Sequence, residues 1–201
     1  MYRGSKPRIV PILIAILIIG LIIAGLVSLG RMILFPSGGT PREDSVNKPT
    51  LQEEVLNTDS DRSVRYTVRG SLIADENFRS YQIIISPTER RVTEYQGYLD
   101  KITASRTFDN NQTAYDEFVH ALDRAEISVT REVKDEDMRG VCATNGRLYV
   151  FETFQGTKAT NTIWTSTCSG SPGTMKAKIG QIHALFRNQI PDFQPMFDKV
   201  Y

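Results

Sequence analysis

Hydrophobic and polar positions divide this chain into three regimes. From Ile9 to Leu29 (IVPILIAILIIGLIIAGLVSL) no residue is charged. As a helix these 21 residues would be roughly 31 Å long, the thickness of a bilayer's hydrocarbon core. A helix satisfies its own backbone hydrogen bonds, so nothing in this run needs water. From Pro36 to Arg62 the apolar pattern stops; three prolines, two glycines and many small polar residues replace it. Such a stretch buries too little surface to offset its ordering entropy and reads as a flexible stalk. One exception is Thr50-Leu51-Gln52-Glu53, whose spacing is that of a capping box and predicts a turn or two of helix over Leu51 to Asn57.

From Ser63 to Tyr201 apolar residues recur at strand and helix periods over 139 residues, an ordinary size for one domain. Val64, Tyr66 and Val68 alternate with polar neighbours, as do Tyr81, Ile83 and Ile85 within 79–86. Ser86-Pro87-Thr88-Glu89 reads as a turn, and a third strand follows from about Arg90 to Tyr98. Asn110 or Asn111 caps a helix whose Tyr115, Phe118, Val119 and Leu122 fall at i, i+3, i+4 and i+7. Ile127 to Thr130 reads as a short strand and Lys134 to Met138 as a charged loop. Asn145-Gly146, between Val141-Cys142-Ala143 and Leu148 to Phe151, is the strongest hairpin signal in the chain. Ile163 to Cys168 makes another strand, broken by Gly170-Ser171-Pro172-Gly173. Thr174 then caps a last helix with Met175, Ile179, Ile182 and Phe186 on its inner face, ended by Pro191. The outline is ββαβββα: an α+β domain with an antiparallel sheet and two helices on one face.

Charge sets the orientation. Arg3, Lys6 and Arg8 precede the apolar run with no acid among them, whereas Arg31, Arg42, Glu43 and Asp44 after it nearly balance. Basic residues stay on the cytoplasmic side, so the expected map is a cytoplasmic tail at 1–8 and a transmembrane helix at 9–30. A stalk at 31–62 and an exported domain at 63–201 follow. The competing reading is a cleaved signal peptide with Ser28 and Gly30 near the cut. The run exceeds the 7 to 15 residues of an h-region, and no lipobox cysteine follows it. Gly20, Ala24 and Ser28 recur every four residues and form a small-residue stripe along the helix, suited to packing against a second copy or a partner's helix.

The two cysteines, Cys142 and Cys168, both lie in the exported part, where an even count reads as one disulfide. Closing that loop would remove roughly 3.5 kcal/mol of unfolded-chain entropy. Two cysteines do not complete a zinc site, and there is no CxxC pair.

Other chemistry is sparse, and neither a catalytic, a cofactor-binding nor a metal-binding residue is assigned. His120 and His183, the only histidines, sit on predicted helices outside any HExxH pattern. Asp116 lies one turn before His120, the spacing of an exposed i, i+4 contact. Ser169 to Thr174 precedes a helix and could cradle an anion, but lacks the order and the lysine of a P-loop. Asp135, Glu136 and Asp137 lack the alternate spacing and the glycine of a calcium loop. Glu94 with Asp100, or Glu152 with either, would be the carboxylates of a hydrolase, although nothing singles out one pair. Asn111-Gln112-Thr113 is a sequon by letter, but Asn111 serves better as a helix cap. Over 63–201 the 17 acidic residues equal the 17 Lys and Arg, so no single-sign field recruits nucleic acid.

The stretches GVCATNGRLYVFETF (140–154), WTSTCSGSPGT (164–174) and LFRNQIPDF (185–193) together resemble uncharacterised single-pass envelope proteins of small-genome, host-attached bacteria. The resemblance implies a surface location and paired cysteines, and carries over no functional residue. Two functions are therefore expected to compete. One is a non-catalytic interaction or structural module of the envelope, anchored in the lipid bilayer with a protein partner. The other is a small envelope hydrolase. A sensory or secretion-accessory role is a third option. An exposed apolar patch or open sheet edge would favour binding, and a pocket of convergent acids the enzyme.

Overall fold

Alternation at the start of the domain builds the centre of a six-stranded antiparallel sheet in the computed structural model, which describes residues 48–134, 137–143 and 145–193. Strand β1 (Arg62–Arg69) places Val64, Tyr66 and Val68 on one face, each no more than 1% exposed. Opposite them stand Ile85, Ile83 and Tyr81 of β2 (Arg79–Ile85) on one side. Thr153, Phe151 and Tyr149 of β5 (Leu148–Gln155) stand on the other. β3 (Glu89–Gln96) and β4 (Lys101–Asp109) extend the sheet beyond β2, and β6 (Lys158–Ser166) extends it beyond β5, giving the order β4-β3-β2-β1-β5-β6.

Three helices cover one face. In α1 (Leu51–Leu56) the capping box is formed in full: the Thr50 side chain accepts from Glu53 N, and the Glu53 side chain accepts from Thr50 N. α2 (Gln112–Arg124) starts at Asn111, whose side chain accepts from Ala114 N at 3.0 Å, and buries Tyr115, Phe118, Val119 and Leu122 as its spacing predicts. This helix returns the chain across the sheet from the β4 edge to β5. α3 (Ile179–Arg187) buries Ile182 and Phe186, and the Phe186 ring stacks on Tyr66 at 4.7 Å. One core cluster joins Val55 of α1, the apolar faces of α2 and α3 and the inner face of the sheet. Each fully buried large side chain there contributes about 1.5–3 kcal/mol.

The class is α+β with an antiparallel sheet, but the order is αββββαββα rather than ββαβββα. β4 has no apolar alternation because it lies past the helices; only Phe108 reaches the core, and most of its residues are exposed on both faces. The hairpin expected at Asn145-Gly146 is elsewhere: Val141 to Ala143 is a turn, and the tight connection is Gly156-Thr157 between paired Gln155 and Lys158. Residues 127–129 form no strand; Thr130 makes a single bridge to Met175. Thr174 does not cap α3, because residues 174 and 175 are committed to the edge of β6. There Thr174 Oγ1 accepts from Trp164 N, and Met175 N donates to Trp164 O. Met175 is fully buried all the same, ahead of the helix, and Lys178 is the N-cap.

The domain also begins earlier than expected, near Pro49 instead of Ser63. Glu54 and Val55 are buried, and Glu54 pairs with Arg62 at 3.0 Å and accepts from Thr160. Thr160 is the extra residue of a bulge in β6, and Thr103 is the extra residue of one in β4. Both sheet edges thus carry a bulge, a device that discourages edge-to-edge pairing. Among the described residues no helix is long and apolar enough to cross a membrane. The tail 1–8, the span 9–30 with Gly20, Ala24 and Ser28, and the stalk up to residue 47 lie outside the described residues.

Candidate interaction surface

The most exposed apolar group belongs to the β3–β4 connection. Gly97 (φ 74°) and Asp100 (φ 52°) reverse the chain and leave Tyr98 and Leu99 at the apex. Leu99 is 96% exposed, Ile102 at the start of β4 61%, Tyr98 46% and Ile73, in the β1–β2 connection, 47%. Local bonds hold this tip firmly. Tyr98 N donates to Asp75 Oδ1 at 2.6 Å, Gly97 N donates to Phe78 O at 3.0 Å, and the Tyr98 hydroxyl donates to Ile73 O. The Tyr98 ring stacks on the buried Phe78 at 4.7 Å. The apolar side chains are therefore presented outward on a braced loop. No local pattern marks them, because Ile73, Tyr98, Leu99 and Ile102 share no period in the sequence.

The sheet face opposite the helices is covered at one end only. Leu148, Val150 and Trp164 form a second small core there under Met138 and Val141. The covering loop is clamped by Cys142 and Cys168, whose Cα atoms are 5.5 Å apart in disulfide linkage. Cys142 lies in a turn at φ 65°, and Cys168 follows the end of β6. Gly146 has its use here: at φ 108°, a Cβ on it would lie 2.5 Å from Cys168 Sγ and 2.8 Å from Thr167 Oγ1. Glycine is required by close approach to the disulfide instead of by a two-residue hairpin. At the uncovered end Arg65 binds Glu152 with both carboxylate oxygens (2.7 and 2.8 Å) and lies 4.5 Å over the Phe154 ring. A shallow cavity of about 340 Å³ between Arg65, Ile84, Arg91 and Phe154 opens beside this pair.

The residues weighed for chemistry do not converge. Glu94 stands opposite Tyr81 on the helix-covered face and accepts from the Thr103 hydroxyl at 2.8 Å. Glu152 is on the other face with Arg65, and Asp100 is at the exposed tip. Hence Glu94 and Glu152 cannot act on one substrate atom. Ser169 to Thr174 does not lead into a helix, so no helix N-terminus lies behind that loop. Asp137 pairs with Arg139, whose hydrogen bonds hold its carboxyl below the ordinary range. Asp135 and Glu136 lie outside the described residues. No group of three potential metal ligands occurs among the described residues.

The two histidines have separate environments. His120 is exposed on α2, and Asp116 accepts from Gln112 Nε2 at 2.8 Å. His183 on α3 is partly buried, with Nδ1 3.2 Å from the Tyr66 hydroxyl and its ring edge-on to Tyr66 and Tyr149. Burial, aided by Arg187 and Arg147, lowers its pKa to about 4, so it is neutral at ordinary pH. It packs, half-buried, against aromatic rings of the core. Asn111 caps α2 as expected. No protein-family model matches this chain, and no curated protein matches it.

Proposed function

We propose that this chain is a membrane-anchored, extracytoplasmic interaction or structural module of a cell envelope. Residues 9–30 are the single span, the N-terminus is cytoplasmic and the α+β domain faces outward. The observation that carries the reading is the braced apolar tip at Tyr98, Leu99 and Ile102 on a domain preceded by an uncharged, bilayer-length run. Exposed apolar side chains on a firmly held loop are a docking feature, whereas a catalytic site needs convergent polar groups. A linked Cys142–Cys168 pair suits an oxidising compartment. The resemblance to single-pass envelope proteins of host-attached bacteria points the same way, and the partners it leaves open are the lipid bilayer and a second envelope protein.

Membrane fractions extracted with alkaline carbonate should retain the protein. Protease applied to the outer face should release a fragment of about 16–19 kDa, the size expected for the outward domain. Solubility in carbonate, or full protection of the domain once the outer layers are permeable, would overturn the reading.

A further inference from the structure

The exposed tip has a location that narrows what it meets. α2 starts just past the end of β4, at the end of the sheet remote from the tip. It ends near residues 125–129, and Lys176 N donates to Val129 O while Met175 N donates to Trp164 O. Trp164 lies near the close of β6, at the tip-bearing end of the sheet. α1 runs the opposite way. Gln52 Nε2 donates to Asp123 Oδ1 (2.9 Å) near the C-terminus of α2, and Gln112 Nε2, in its first turn, donates to Thr58 O (2.8 Å). Going back along the chain from Thr58 to Thr50 therefore leads toward the tip-bearing end. The described chain therefore begins, at residues 48–50, near that end of the domain.

We propose that the β3–β4 tip inserts into the outer surface of the bilayer that holds the N-terminal run; this rests on the anchored reading above. The inserted side chains are Leu99 at the apex with Tyr98 and Ile102, and Ile73 is adjacent. Their setting favours lipid over protein: Leu99 stands 96% exposed at the apex of a strand-to-strand turn, and an exposed apolar apex enters a bilayer interface without needing a matching pocket. Tyrosine, with an apolar ring and a polar end, suits that boundary. The nearby charges Asp75, Glu76, Asp100, Arg79 and Lys101 almost cancel. Attraction to anionic headgroups is therefore not the driving force, and the contact is insensitive to salt. Tethering makes it intramolecular: the 18 residues 31–48 read as a flexible linker, for which effective concentrations reach the millimolar range. A weak apolar contact is then populated.

The test uses the full chain in phosphatidylcholine vesicles. An environment-sensitive dye is attached through Leu99→Cys, or through Glu117→Cys on the exposed face of α2 as control, the native cysteines being paired. The dye at 99 should emit to the blue and be quenched at least roughly twofold by spin-labelled lipid, unchanged by added salt, with the dye at 117 unaffected. A dye on Ile102→Cys should behave like that at 99 and lose the quenching when Leu99→Asp is added. Unchanged circular dichroism would show that this variant is folded. If carbonate removes the protein from the vesicles, the anchored reading fails. If the protein stays in the membrane but the dye at 99 remains aqueous, whatever else the domain binds, the tip inference alone is overturned.

Discussion

Single residues in this domain owe their roles to what lies against them. His183 holds Nδ1 beside the Tyr66 hydroxyl in an aromatic setting that disfavours its charged form. Its folded pKa of about 4 lies below the ordinary value of 6.5, so between these values the unfolded chain binds more protons than the native one. Stability present above pH 6.5 is lost as the pH falls through that window, and the loss levels off below about 4. Carboxylates titrate in the same range, so the informative quantity is a difference. The pH dependence of unfolding between 7 and 4 should be shallower in His183→Gln than in the wild type. Equal slopes would show that His183 is not the group responsible. Gly146 is a second instance, since its pairing with Asn145 suggests a hairpin although its neighbours are two sulfurs and a threonine hydroxyl.

At the scale of elements, local signals succeeded where they were complete. The Thr50–Glu53 capping box, the Asn111 cap and the four apolar residues of α2 each satisfy a local requirement, and all formed. The alternation in β1 and β2 did so too, because both strands have one face under the helices. β4 was invisible for the converse reason: an edge strand beyond the helices has no buried face to impose a period. The disulfide acts on an element with little core of its own. Cys142 and Cys168 hold the loop that covers Leu148, Val150 and Trp164. Replacing both cysteines by serine should lower stability by about 2–4 kcal/mol, and the native thiols should react with an alkylating agent only after reduction. Ready labelling of unreduced protein would contradict the linkage.

For the whole molecule, the bulged edges of the sheet argue against assembly through β4 or β6. Any self-association is better sought in the apolar run, whose stripe of Gly20, Ala24 and Ser28 would let two helix backbones approach closely. On that proposal, Gly20→Ile with Ala24→Ile should abolish cross-linking between full-length copies in membranes. The same cross-linking yield in wild type and variant would reduce the stripe to composition.

What the chain determines by itself is whatever depends on near neighbours. This covers the apolar length and flanking charges of 9–30, the caps of α1 and α2, the strand alternation and the α+β class. Each is set by residues within about a turn or a strand of one another. Tertiary structure alone decided that 49–62 belongs to the domain, since Glu54 finds Arg62 and a threonine more than a hundred residues away. It also moved Met175 from helix to sheet edge, and put Glu94 and Glu152 on opposite faces of one sheet. The exposed tip is tertiary for the same reason. Tyr98, Leu99 and Ile102 look in sequence like residues awaiting burial, and only the reversal at Gly97 and Asp100, leading into a strand exposed along most of its length, leaves them facing outward.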